Sequence, residues 1–308
     1  MSEALRAVLS WSAVTFVAVH IGLALAAAGI PCLTAVIGLR SNKLLKIFID
    51  KFGQQATTFA LLGGVWAFLV LCLGTAGLAW WSPAEVRSFL GFSGAIVRIA
   101  APLLLGGLLF LAYRGLWQKL KAKKAAHALL GVATSLFFWL AIGVTLAALR
   151  PLTTGLPAAG ESFWPTGQTV FWRVWLESLV LSLHVAGTFT GAWLVWRRGK
   201  DDFGRDYYNF TMRLSAGAGF GFGVAALCVV VWICLGLLPG FGELTSRLTA
   251  AVALYGTGML LALCGAGFVA SRQNALPHKI VLLVAFVGTV MELTGLLVGV
   301  ANMSWLAF

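Results

Sequence analysis

Five ionisable side chains interrupt sequence that is otherwise apolar: His20, Arg98, Glu177, His184 and Glu292. His20 lies within Val14–Thr34 and His184 within Val174–Trp196, each run long enough to cross a bilayer. A charge left alone in hydrocarbon costs about 3 kcal/mol or more, so these groups are expected to pair with one another or to touch a cofactor. Histidine offers a neutral nitrogen to haem iron, and arginine offers a planar cation to a propionate. The expected assignments are therefore His20 and His184 as ligands of b-type haem, Arg98 against a propionate or carboxylate, and Glu292 as a haem ligand or proton site. Glu177 precedes His184 by seven residues, on the same helix face, and takes a structural or quinol-facing role. The competing reading for each histidine is a hydrogen bond between helices, and for Arg98 a structural ion pair. His127 and His278 stand beside lysines and read as interfacial.

These groups need helices to hold them. The chain of 308 residues is 60% hydrophobic and only 10% charged, and its mean hydropathy is +0.93. A soluble domain carries about 25% charge. The apolar residues fall in runs of membrane-spanning length, and the short alternating segments of a membrane β-barrel are absent. The expected fold is an all-α polytopic membrane protein with eight spans, at about 10–38, 56–81, 89–113, 127–149, 171–196, 213–238, 248–270 and 279–301.

The net charge of +12 would suggest nucleic acid for a soluble chain. Here the basic residues sit mainly in alternate loops, so no nucleic-acid partner is expected. Loops 39–55, 114–126, 197–212 and 271–278, with Lys279, hold most of them, among them Arg40, Lys43, Lys119, Lys124, Arg197 and Arg272. The opposite loops, 82–88, 150–170 and 239–247, hold only Arg87, Arg150 and Arg247. The positive-inside rule then places both termini outside, which is the periplasmic side of a cell inner membrane. From the outer ends, His20 is expected about 15 Å deep, Arg98 and Glu292 about 14 Å, His184 about 20 Å and Glu177 about 9 Å. The N-terminus lacks a basic leader and a cleavage site, so the first run reads as a retained span.

Loop 150–170 divides the chain into two expected four-helix bundles, 1–150 and 151–308, with His20 and His184 in equivalent first spans. Cys32, Cys72, Cys228, Cys234 and Cys264 all lie in apolar runs and form no CxxC or CxxCH. They read as small buried hydrophobes rather than metal, cluster or c-type haem ligands. The glycines of Ala216–Gly223, AGAGFGFG, suit close helix packing rather than a phosphate loop.

Several segments together resemble the large subunit of the cytochrome bd quinol oxidases. HIGLALAAAG (20–29) is similar to that family's first span, and HALLGVATSLFFWLAIGVTLAALRP (127–151) to its fourth. LHVAGTFTGAWLVWRRGKD (183–201) resembles the end of its fifth span and the basic loop that follows. YGTGMLLALCGAGFVASR (255–272) and VMELTG (290–295) resemble its last two spans. The family's ligand histidines fall here near Ala13 and Glu177, with His20 and His184 each about two turns deeper, which implies relocated ligands. Its third-span glutamates fall near Arg98 and Gly106–Leu108, and its methionine ligand near Leu254. The long quinol-binding loop and the GRQPW signature are missing, and Glu292 alone keeps a ligand-like position.

The resemblance implies a scaffold for one or two b haems, with quinone or quinol as a further expected cofactor, and not the family's oxygen chemistry. The expected function is an integral membrane subunit that carries electrons between the quinone pool and a redox partner. Its partners would be lipid and other subunits of an oxidoreductase complex, such as a cytochrome c or an iron–sulfur protein. The alternatives are a transporter or channel, a structural anchor, and a divergent quinol-oxidising terminal oxidase.

Overall fold

The computed structural model describes residues 3–39, 45–81, 94–120, 122–148, 163–165, 170–201, 203–237 and 246–302. All regular structure among these residues is helical. The eight long helices are α1 (Glu3–Leu39), α2 (Lys46–Trp81), α3 (Ala95–Gly115), α4 (Lys124–Ala148), α5 (Phe171–Arg198), α6 (Arg205–Leu237), α7 (Ser246–Ser271) and α8 (Lys279–Asn302). A short turn of helix, Trp117–Leu120, precedes α4, and a 3-10 turn, Leu276–His278, leads into α8. Each long helix is long and apolar enough to cross a bilayer. The chain is thus all-α with eight candidate spans, consistent with a polytopic, multi-pass membrane protein. Loop residues 82–88, most of 150–170 and 239–245, together with Arg40, Lys43, Arg87, Lys121 and Arg150, lie outside the described residues.

The helices overrun the apolar stretches that mark them. α2 begins at Lys46 and α6 at Arg205, whereas hydropathy predicts starts near 56 and 213. Lys46, Lys51 and Arg205 are therefore helical rather than in loops. Hydropathy marks the hydrocarbon layer, but backbone hydrogen bonding carries a helix on through polar residues until something stops it.

The outer faces of the helices are apolar. Leu73, Val97 and Leu129 are each more than 70% exposed, as suits side chains that meet lipid tails rather than water. Lipid contact is therefore plausible along these faces. The cysteines follow the same logic and correct the expectation of burial. Cys72, Cys228, Cys234 and Cys264 are exposed and Cys32 is half-buried, because an apolar group in a bilayer gains nothing by facing inward.

Two compact units make up the chain. The first combines Met1–Ala26 with Leu181–Met303, and Ala27–Val180 forms most of the second. The boundaries fall within α1 and α5.

In the first unit, glycines let helix backbones touch. A Cβ on Gly288 of α8 would lie 2.6 Å from the backbone nitrogen of Ala262 on α7, and one on Gly295 would lie 2.5 Å from that of Tyr255. Gly258 of α7 sits directly against the backbone of Met291 and Glu292. Between α5 and α6, Gly187 abuts the backbone of Gly219, and Ser215 Oγ donates to the Gly187 carbonyl at 2.8 Å. Without a hydrophobic drive between spans, this close packing is what holds them together. Within AGAGFGFG the glycines divide by face: Gly219 and Gly223 pack against neighbouring atoms, while Gly217 and Gly221 meet nothing within 4 Å.

In the second unit, Gly131 of α4 takes the Pro31 carbonyl of α1 against it. Ser135 Oγ accepts from the Cys32 backbone N–H at 2.9 Å, and Thr34 Oγ1 meets the Tyr113 hydroxyl at 3.0 Å. These contacts fasten α1 to α3 and α4 beside the helix-interior Pro31. At the other end, Ala95, Val144, Ala147, Ala148, Phe163 and Phe171 form a buried cluster edged by Trp164, Trp172 and Trp175. Trp175 Nε1 donates to the Trp139 carbonyl at 2.9 Å and rests on Gly143. An aromatic cluster with satisfied N–H groups is typical of a span's interfacial end.

Candidate functional site

α5 is both the least hydropathic span, at 1.5, and the most enclosed, with 61% of its apolar window buried. It can therefore carry polar groups that lipid would not tolerate. Its face includes Ser182, His184, Thr188 and Thr190, all at most 1% exposed.

The ring of His184 is held on three sides. Nδ1 lies 2.6 Å from the Gly219 carbonyl of α6. Nε2 lies 3.3 Å from Glu292 Oε2 and 3.4 Å from Thr289 Oγ1, both on α8. Gly223 closes on the ring, where a Cβ would stand 2.5 Å from Nδ1. A carbonyl can only accept, so Nδ1 carries a proton and the second nitrogen, Nε2, faces the carboxylate. Thr289 is turned elsewhere: its hydroxyl reaches the Ala285 carbonyl at 3.0 Å and Thr188 Oγ1 at 3.1 Å. Thr188 in turn reaches back to the carbonyls of His184 and Val185, each at 3.3 Å.

His184 and Glu292 are both 0% exposed. A bare Nε2 lone pair facing a carboxylate would be repulsive, so a proton or a metal cation must sit with the pair. Neither oxygen of Glu292 accepts a hydrogen bond from the described residues. The histidine is thus the nearest polar partner of a fully buried carboxylate.

This arrangement can be tested against a b haem. The donor chemistry of His184 fits: one nitrogen is anchored to a backbone carbonyl, which fixes the tautomer and leaves Nε2 as the nitrogen that could act as a ligand. Glu292 fits only as a neighbour. Its Oε2 stands 3.3 Å from Nε2, so if His184 held a haem, Glu292 would supply a negative charge beside it.

The other expected site residues are placed as follows. His20, on α1 in the same unit, is 8% exposed. Its Nδ1 lies 2.6 Å from the Phe16 carbonyl and its ring 4.1 Å from that of Phe16. His184 makes its contacts with Gly219, Glu292 and Thr289, and His20 is not among them. α1 meets α5 and α8 through Gly22, which lies against Phe189 and Leu293. His20 is two residues, about 200°, round the helix from that contact. Glu177 is buried at 4% exposed, in the other unit.

Among the described residues α3 starts at Ala95, capped by Gly94 with φ 70°. Arg98 therefore sits in the first turn, about 5 Å from its start, exposed, with its guanidinium 4.6 Å from the Phe163 ring centre. His127, within one turn of the start of α4, is packed inside at 8% exposed, stacked on Tyr113 at 4.5 Å. His278 lies half-buried in the 3-10 turn, edge-on to Phe268. Among the described residues no three His, Cys, Asp or Glu side chains gather as a metal site.

Gly219 and Gly223 belong to the stretch expected to pack helices closely, but their place beside His184, and the roles of Thr188 and Thr289, are not among the expectations. The signal was spacing. Thr188 lies one turn after His184, and Thr289 nearly one turn before Glu292. Ser215, Gly219 and Gly223 form a small-residue stripe at intervals of four. No protein-family model matches the chain, and no curated protein matches it.

Proposed function

We propose that this chain is a haem b-binding membrane subunit that carries electrons between the quinone pool and a redox partner, on a cytochrome bd-like scaffold of two four-helix bundles. The observation that supports this most directly is the anchoring of His184 Nδ1 on the Gly219 carbonyl, which leaves Nε2, beside Glu292 and Thr289 on α8, as the nitrogen able to act as a ligand. His20 is anchored in the same way on the Phe16 carbonyl. In this reading His184 holds one haem, His20 is the candidate for a second, and Glu292 supplies a compensating negative charge. Haem, when bound, supplies one-electron chemistry. The residues of the chain hold it, exclude water and set the local charge. Both termini face outside, in the inner membrane, and the redox partner docks as a separate subunit.

A pyridine haemochrome spectrum of the purified protein, made with adequate haem supply, tests this proposal. The expected result is b haem at one or two per chain, and its absence overturns the reading.

The His184–Glu292 pair favours a second reading. A buried imidazole and carboxylate 3.3 Å apart, sealed from water, suit an ion-coupled transporter. That reading requires substrate-dependent flux in vesicles from protein free of haem.

A further inference from the structure

The nitrogen of His184 that faces α8 looks onto two oxygens, and neither gives it a hydrogen. Thr289 Oγ1, 3.4 Å away, turns its one hydrogen to the Ala285 carbonyl or to Thr188 Oγ1, at 3.0 and 3.1 Å. Glu292 Oε2, 3.3 Å away, has none to give while ionised. The other side of the ring differs, because Nδ1 stands only 2.6 Å from the neutral Gly219 carbonyl.

These lengths choose between a proton and a metal. A proton held between imidazole and carboxylate draws them to about 2.7–2.9 Å. Here the ring lies closer to the neutral carbonyl than to the acid, the reverse of what an imidazolium would favour. Ligands about 2.0–2.1 Å from a tetrahedral zinc ion stand about 3.3–3.4 Å from one another. Both Nε2 distances match that edge. A second observation comes from Glu292, which is fully buried with neither oxygen in a hydrogen bond. Thr289 and Glu292 are three residues apart on α8, so they share a face. The carbonyl on Nδ1 is the usual support of a metal-bound histidine.

Resting on the ion-transport reading of this pair, we propose that His184 Nε2, a Glu292 oxygen and Thr289 Oγ1 ligate a zinc-class divalent metal ion between α5 and α8. The donors select the ion: imidazole suits zinc and its transition-metal neighbours, whereas magnesium and calcium call for oxygen alone. No third His, Cys, Asp or Glu joins the group among the described residues, and the hydroxyl takes that place. One carboxylate, two neutral ligands and an open fourth position suit an ion that is released again, not a closed structural centre.

The test titrates the full-length chain, in neutral detergent and with its haem content measured, with zinc against a chelating indicator and with magnesium as control. One zinc per chain is expected, with magnesium at least about a hundredfold weaker. Glu292→Gln should weaken zinc by about tenfold or more, and Thr289→Val by a smaller factor. Thermal unfolding reports that each variant folds. The proposal is overturned if zinc does not bind at one per chain, or if Glu292→Gln leaves its affinity unchanged. A b haem whose spectrum depends on His184 overturns it as well, since iron then holds Nε2. Vesicle assays separate the site from the transport reading. Zinc binding without zinc flux supports the site and rejects transport, whereas flux of another solute without zinc binding supports transport and overturns the metal site.

Discussion

Gly223 of α6 lies against the imidazole of His184 on α5, so closely that a Cβ would stand 2.5 Å from Nδ1 and 2.7 Å from Leu263 Cδ2. The histidine is therefore oriented by a missing side chain as much as by its hydrogen bond to Gly219.

Gly223→Ala is expected to push the ring off the Gly219 carbonyl and cost about 1–3 kcal/mol, as overpacking in a filled core does. Gly221→Ala, two residues away with nothing within 4 Å, should change stability by no more than about 0.5 kcal/mol. Thermal unfolding in detergent compares them, and equal effects would remove Gly223 from any special role.

His184→Ala leaves Glu292 buried without its partner and should cost about 3–5 kcal/mol. Glu292→Gln replaces the charge with an amide able to donate to Nε2, and should cost far less. A double-mutant cycle should then show a coupling energy of about 1 kcal/mol or more. Additive effects would mean that the two groups do not act as a pair.

If haem is present, His184→Ala and His20→Ala should each remove or shift a reduced α-band. Unchanged spectra in both variants would reject the ligand assignments. Loss in His184→Ala alone would leave a single haem site.

Cys72, Cys228, Cys234 and Cys264 lie on exposed helix faces, and Cys32 is half-buried. In intact membranes a lipid-soluble maleimide should label the first four faster than Cys32, while a charged, impermeant reagent labels none. Mass spectrometry of the digest resolves the five sites. Fast labelling of Cys32 would contradict the packing of α1 on α4.

The eight spans were legible because each is an apolar run of bilayer length. Their ends were less so. Lys46–Gln55 and Arg205–Met212 are polar, yet they continue helices that hydropathy alone cannot see. The ionisable residues could be found by their cost in lipid, but not their partners. His184 meets Glu292 rather than Glu177 because α8 packs where α5 is enclosed, a tertiary fact with no local signature. The depth expected for Arg98 was counted from an apolar run beginning near 89, whereas α3 is described from Ala95. The aromatic seat of His127 is assembled from three separate segments, α3, the turn at Trp117–Leu120 and α4. Neighbouring lysines mark the end of the span but carry no sign of this seat.

The pair on α5 and α8 also has an order in time. Synthesis delivers the N-terminal helices first, so α5 is made about a hundred residues before α8 emerges from the ribosome. A neutral imidazole can wait in the bilayer at little cost, whereas a carboxylate cannot. Glu292 therefore arrives after its acceptor helix, on a segment whose backbone in the folded chain lies against α7 at Gly258 and Gly288. Encoded in the reverse order, the acid would have had to cross the translocon with no base to receive it.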